Sequence, residues 1–151
     1  MALWSETGDD VLNHSRESGR VIVVGAGASG LMAAGRAAET GAKVLLVEKT
    51  DGPAKKILIS GKSRCNLTNA RDLDDFISMF GPNGRFLHSA FRRFFRDDLL
   101  AFLMRYGVET KVERGGRIFP VSDDAADVVQ AFRRYLKDQH VDIHTGLPVT
   151  G

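Results

Sequence analysis

The chain opens its periodic part with Val21-Ile22-Val23-Val24, a short apolar run closed by Gly25. So short a run bounded by glycine predicts a strand buried on both faces, as in a parallel sheet. Leu31, Met32, Ala33 and Ala34 have helical character, and Gly41 is placed to end that helix as its C′ residue. Lys43-Val44-Leu45-Leu46-Val47 repeats the apolar pattern and stops at Glu48. Strand, helix and strand in this order predict a βαβ unit over 20–48. Lys49 to Pro53 then reads as a turn.

The later pattern is mixed. Asp72 to Phe80 predicts a short helix stopped by Gly81-Pro82. Phe86, Leu87, Ala90, Phe91, Phe94 and Phe95 recur at near-helical spacing, predicting a second helix whose apolar face belongs in a core or under a covering domain. Asp97 or Asp98 is placed to cap a third, through Leu103 to Gly107. Val108, Thr110 and Val112 alternate with charged residues, and Arg114-Gly115-Gly116 turns that strand back into Arg117-Ile118-Phe119-Pro120. Ser122 is placed to cap a helix, with Asp123 and Asp124 in its first turn, through Val128, Phe132 and Leu136, and Val141 to His144 predicts a last parallel strand. Residues 1–19 are polar with scattered apolar positions and read as a mobile extension or a short docked segment.

Composition adds limits. The 151 residues suffice for one modest domain, and 43% hydrophobic with 26% charged residues is ordinary for a globular protein. A net charge of +2 points to neither nucleic acid nor an anionic membrane as partner. No stretch approaches the roughly 20 apolar residues of a membrane span. The single cysteine, Cys65, rules out an internal disulfide and a four-cysteine metal site, and fits a cytoplasmic setting. No metal site is expected from the histidines.

The chemistry concentrates at Gly25-Ala26-Gly27-Ala28-Ser29-Gly30. In a G-x-G-x-x-G turn the first glycine allows the reversal, the second admits a pyrophosphate to the backbone, and the third seats helix on strand. The new helix directs free N–H groups, including those of Ala28 and Ser29, toward the phosphates. Glu48 stands about 20 residues on, where a carboxylate holds a ribose 2′-hydroxyl and repels a 2′-phosphate. A second informative stretch runs from Ala54 to Asn69, with cations at Lys55, Lys56, Lys62 and Arg64. Its Gly61-Lys62-Ser63 is not a P-loop, because Lys56 occupies the position of that motif's first glycine. With no aromatic interleaving, it offers no stacking surface for nucleic acid.

Three motifs together resemble the BaiN-like, aminoacetone-oxidase-type flavoproteins: Gly25 to Gly30 with Glu48-Lys49; Lys56-Ile57-Leu58-Ile59-Ser60-Gly61 running into Arg64-Cys65-Asn66-Leu67-Thr68-Asn69; and Gly116 to Ser122 with Ala125 and Val128. The second is far more specific than the first. The resemblance implies a Rossmann-like α/β domain over 20–151 with a parallel sheet, incomplete and carrying a small α+β insertion, truncated relative to the family. It implies bound FAD, with NAD(P)H as a candidate electron donor and a small-molecule substrate. Lys49, Lys55, Lys56, Arg64 and Asn66 would lie along the cofactor, Val149 would offer its backbone to the adenine, and Cys65 would be a structural thiol beside it. Ser63 departs from a glycine usual in the family. The expected function is the FAD-binding part of a flavin-dependent oxidoreductase. The alternative is a truncated, non-catalytic adenine-nucleotide-binding module that self-associates through an exposed sheet edge.

Overall fold

The computed structural model describes residues 19–150; the expected N-terminal extension lies outside them, Gly19 excepted. The elements are β1 (Arg20–Val24), α1 (Ala28–Glu39), β2 (Lys43–Val47), α2 (Lys55–Ile59), β3 (Thr68–Asn69), α3 (Leu73–Ser78), a 3-10 segment (Gly81–Leu87), α4 (His88–Phe91), α5 (Arg96–Arg105), β4 (Thr110–Val112), β5 (Arg117–Pro120), α6 (Ala125–Asp138) and β6 (Asp142–His144). They build two sheets. One is parallel, in the order β1-β2-β6. The other is antiparallel, in the order β3-β5-β4, and belongs to the insertion between β2 and β6.

The βαβ unit forms where the pattern placed it. Val21 pairs with Val44 and Val24 with Val47. Helix α1 ends at Thr40, where the N–H of Gly41 donates to Ala38 and that of Ala42 to Ala37. That double closure is the Schellman arrangement, and Gly41 takes it with φ of 90°. Helices α1 and α6 pack together over one sheet face, and α6 also contacts α2 and β5. Leu31, Ala34, Val44, Leu46, Val128, Ala131, Phe132, Tyr135 and Leu136 share this core.

Four sequence expectations need correction. Strand β1 is not buried on both faces: Val21 and Val23 pack on the core, but Ile22 and Val24 are each 65% exposed. The reason is its place at the end of the sheet, with α1 and α6 covering one side only. The stripe from Phe86 to Phe95 is not one helix. The 3-10 segment carries Phe86, and α4 lasts a single turn. Beyond it the Asp98 carboxylate accepts from the Phe95 N–H at 2.9 Å, which starts α5 and leaves Phe95 extended. The third correction follows from that bond: the cap residue of α5 is Phe95, and Asp98 reaches back to it from inside the first turn. Finally, Asp124, not Ser122, caps α6, accepting from the Ala126 N–H at 2.8 Å. Among the described residues, no helix is long and apolar enough to cross a membrane.

Candidate functional site

The site grows from the point where β1 turns into α1. Gly25 takes φ of +95°, a conformation L side chains rarely adopt, and its N–H donates to the Val47 carbonyl at 2.7 Å. A Cβ on Gly30 would collide with the Gly25 carbonyl oxygen, so the helix seats on the turn only because Gly30 lacks one. Gly27 differs. It caps α1 with ordinary extended backbone, at φ of −76°, and none of the described residues lies within 4 Å of where its Cβ would stand. Packing within the protein does not require glycine there, and the space in front of it is open.

Gly27 brings no side-chain acceptor to the helix start, and the first turn holds no acid. The orphan N–H groups of Ala28, Ser29 and Gly30 therefore stand at the positive end of α1 with no anionic side chain of their own helix against them. Ala28 and Ser29 are exposed. An anionic group is the natural complement of this rim.

Glu48 ties the rim together. One carboxylate oxygen accepts from the Ala26 N–H at 2.8 Å, inside the glycine turn. The other accepts from the N–H and the hydroxyl of Thr50, both at 2.9 Å. The Thr50 N–H, then the Ala26 N–H, then the Thr50 hydroxyl hold its pKa below the usual glutamate value. Glu48 is thus an anion at neutral pH and a brace between the tips of β1 and β2. The oxygen that accepts from Ala26 keeps a lone pair for a further donor, whereas the other is taken up by the two donors of Thr50.

The backbone brings the distant end of the chain to the same place. The Glu48 N–H donates to the His144 carbonyl at 2.8 Å, and Leu147 N–H donates back to the Glu48 carbonyl at 2.9 Å. Val149, more than 100 positions from Glu48 in sequence, consequently lines one cavity of ≈180 Å³ with Gly25, Glu48 and Lys49. Helix α2 also joins the turn, because the Ala54 N–H donates to the Ala26 carbonyl at 2.7 Å. That contact places Lys55 and Lys56 in the first turn beyond it. Lys55 is paired with Asp51, while Lys56 is exposed.

Arg64 is engaged elsewhere. Its guanidinium donates to Asp123 at 2.6 and 3.0 Å, pairs with Glu113, and lies 4.3 Å from the centre of the Phe119 ring. Lys111 joins through Asp123 at 2.7 Å. The network fastens the loop from Gly61 to Cys65 to the second sheet. That loop is left-handed at Gly61, Lys62, Ser63 and Cys65, with φ between 56° and 66°. The glycine usual at position 63 thus has a physical reason, since Ser63 holds φ of 66° at a steric cost. Asn66 follows, exposed. Cys65 is buried in the core, and burial pushes its thiol pKa up, away from nucleophile chemistry.

The residues that sequence reading missed are Ala26, Thr50, Glu113 and Asp123. Thr50, two positions after Glu48, was the one with a local signal. Glu113 and Asp123 lie 49 and 59 positions from Arg64, and no pattern links them.

The relatives include the 3-dehydro-bile acid delta(4,6)-reductase of Clostridium scindens, 38% identical over 86% of this chain and 32% of its own length. They also include the ribosomal RNA dihydrouridine synthase of Escherichia coli, 33% identical over 72% of this chain and 26% of its own. The chain therefore spans about a third of the first relative and about a quarter of the second. Among solved structures, THI4 of Thermovibrio ammonificans aligns with TM-score 0.53 and 16% identity over 85% of this chain and 38% of its own. A flavocytochrome c3 fumarate reductase aligns with TM-score 0.53 and 22% identity over 87% and 27%. At such identities the two structures speak for the fold alone. The family model for the HI0933-like protein Rossmann domain matches residues 19–151. With its glycine turn at the end of the first strand of a parallel sheet, this chain belongs to that family, the BaiN-like group its three motifs resemble.

Proposed function

We propose that this chain is the FAD-binding portion of a flavin-dependent oxidoreductase. The observation that carries the reading is the rim made by the open N-terminus of α1 at Gly27, the anionic Glu48 and the segment through Val149. These residues fit the ADP half of FAD. The N–H groups of the first turn of α1 receive the pyrophosphate where Gly27 leaves room. Glu48 accepts from the adenosine ribose with the lone pair left on the oxygen that faces Ala26, and Val149 offers backbone to the adenine. Lys49, Lys56 and Asn66 are exposed and available along the cofactor, whereas Arg64 acts on it by holding the loop that carries Asn66. FAD, when bound, supplies hydride and electron chemistry, with NAD(P)H as the donor in this reading. Both relatives carry names that denote reductions, one of a bile acid and one of a uridine in ribosomal RNA, so reduction of an organic substrate is the reaction class we assign.

One observation favours a second reading. The cavity of ≈180 Å³ is smaller than the roughly 300–1,000 Å³ of a typical small-molecule site, which suits a module holding an adenine nucleotide without catalysing. In that reading the chain self-associates through the free edge of β1; a single monomeric species at every concentration in sedimentation would refute it.

The deciding experiment titrates the purified chain with FAD and with ADP, following flavin absorbance and calorimetry. FAD binding with a perturbed flavin spectrum supports the first reading. ADP binding without FAD binding supports the second. Gly27→Ala should abolish either ligand while leaving the melting temperature within about 2 °C of wild type, because its Cβ meets nothing in the protein. Unchanged affinity in that variant would overturn the pyrophosphate assignment.

A further inference from the structure

The loop from Gly61 to Asn66 stands at the same end of the parallel sheet as the glycine turn. Helix α1 leads into β2 and α6 into β6, and both strands run parallel to β1, so both helices start at the carboxyl ends of the strands. The start of α6 receives the loop: the Ala125 N–H donates to the Ser63 carbonyl at 2.8 Å. On its other side the loop continues α2, which the Ala54 N–H ties to Ala26 in the glycine turn. The 5 residues of α2 advance by only about 8 Å. The loop is therefore the next stretch of chain that a ligand meets when it extends from the glycine turn past α2.

This loop does little to hold its own shape. Lys62, Ser63 and Cys65 are left-handed without being glycine, and its internal backbone bonds run from Arg64 to Gly61 at 3.3 Å and from Cys65 to Ser60 at 3.1 Å. The rest of the support comes from the second sheet and the approach to α6, through Arg64. Asp123 accepts from its guanidinium at 2.6 and 3.0 Å and from the Lys111 ammonium at 2.7 Å. Glu113 pairs with the same guanidinium, and the Phe119 ring lies against it. Two acids thus balance two cations, and removing one acid leaves a net positive charge at the foot of the loop. The outward residues Lys62, Ser63 and Asn66 are exposed, and their N–H groups have no partner among the described residues.

We infer that Asp123 and Glu113 are positioning residues for the part of FAD beyond its pyrophosphate, acting through Arg64 on the loop that this part meets. The inference rests on the FAD reading above and adds a discrimination to it. ADP ends at the pyrophosphate, so it reaches the start of α1, Glu48 and the segment through Val149, and nothing that the network holds. FAD continues past α2 to the loop. Loosening the loop lowers the fraction of molecules ready for FAD, and its apparent affinity falls by that fraction, while the ADP half of the site stays formed. A network that served the fold alone would move both ligands together or neither.

The test titrates the full chain with FAD and with ADP by calorimetry. Asp123→Asn removes the charge but suits the left-handed backbone at that position, where φ is 58°. It should bind FAD roughly 3- to 30-fold more weakly and ADP within about 2-fold of wild type. Glu113→Gln should show the same split, and keeps the inference testable if the first variant folds poorly. Both melting temperatures should stay within about 4 °C of wild type, because the pairs are partly exposed. Arg64→Gln combined with Asp123→Asn should bind FAD no more weakly than the worse single variant, because both act through one loop. Glu39→Gln, which breaks an ion pair with Arg36 away from the loop, should bind both ligands as wild type. Three results would overturn the inference: FAD affinity unchanged in Asp123→Asn and Glu113→Gln, equal losses of FAD and ADP in a folded variant, or additive losses in the double variant. Wild type that binds no FAD would sink the proposed function and this inference together; wild type that binds FAD, with Asp123→Asn binding it equally well, would sink this inference alone.

Discussion

Replacing Glu48 by alanine removes the acceptor for three donors: the Ala26 N–H, the Thr50 N–H and the Thr50 hydroxyl. They are not equal. Ala26 is fully buried, at 0% exposure, so its N–H gains no water and bears the desolvation cost of an orphaned group, about 1–3 kcal/mol. Thr50 is half-buried, and its two donors recover part of their bonding from solvent, leaving about 1 kcal/mol. The sum is about 2–4 kcal/mol, which for a chain of this length lowers the melting temperature by roughly 4–16 °C. Glu48→Gln retains one carbonyl oxygen and turns an NH₂ toward the other donors, so it should lose about half as much. Thermal unfolding followed by far-UV circular dichroism gives the comparison. The pH dependence supplies an independent check with a fixed sign. The folded pKa of Glu48 is lowered, so its stabilisation is complete above the ordinary glutamate value of about 4.3 and is lost as pH falls through the folded value. The advantage of wild type over Glu48→Gln should therefore be constant at neutral pH and shrink below about pH 4. A Glu48→Ala chain within about 0.5 kcal/mol of wild type at pH 7 would refute the brace, as would an advantage that grows on acidification.

Three other substitutions read different parts of the fold. Gly30→Ala should destabilise by about 3 kcal/mol or more, because its Cβ has only the Gly25 backbone to occupy; a melting temperature like that of Gly27→Ala would remove the distinction drawn between the two glycines. Tyr135→Phe should be neutral or stabilise by about 1 kcal/mol, since the Tyr135 hydroxyl is buried with no partner among the described residues; destabilisation beyond about 1 kcal/mol in urea would mean the hydroxyl is bonded. Ser63→Gly should raise stability by about 0.5–1 kcal/mol by relieving a left-handed residue, net of the entropy glycine adds to the unfolded chain; a loss of that size in the same assay would show that the Ser63 side chain holds the loop.

Local periodicity settled much of this protein. The βαβ unit, the hairpin of β4 and β5, helix α6 and the final parallel strand are each written in a few consecutive residues, because hydrogen-bond geometry and side-chain direction repeat over two or four positions. The glycine turn was equally legible, since Gly25 and Gly30 answer steric demands of their immediate neighbours. Tertiary structure decided the rest. Burial of β1 depended on what covers its second face, so Ile22 and Val24, apolar in sequence, stand exposed. The phenylalanine stripe has helical spacing, but the Asp98 cap on Phe95 and the Pro82-containing 3-10 segment divided it into a packed base and an open groove. Arg64 looked like one more cation along a ligand until the fold set Glu113 and Asp123 against it. Glu48 was identifiable by its distance from the glycines, yet its bracing of Ala26 exists only because parallel pairing brings the ends of β1 and β2 side by side. A sequence specifies which groups can bond; only the folded chain brings partners tens of positions apart within the 3 Å at which they do.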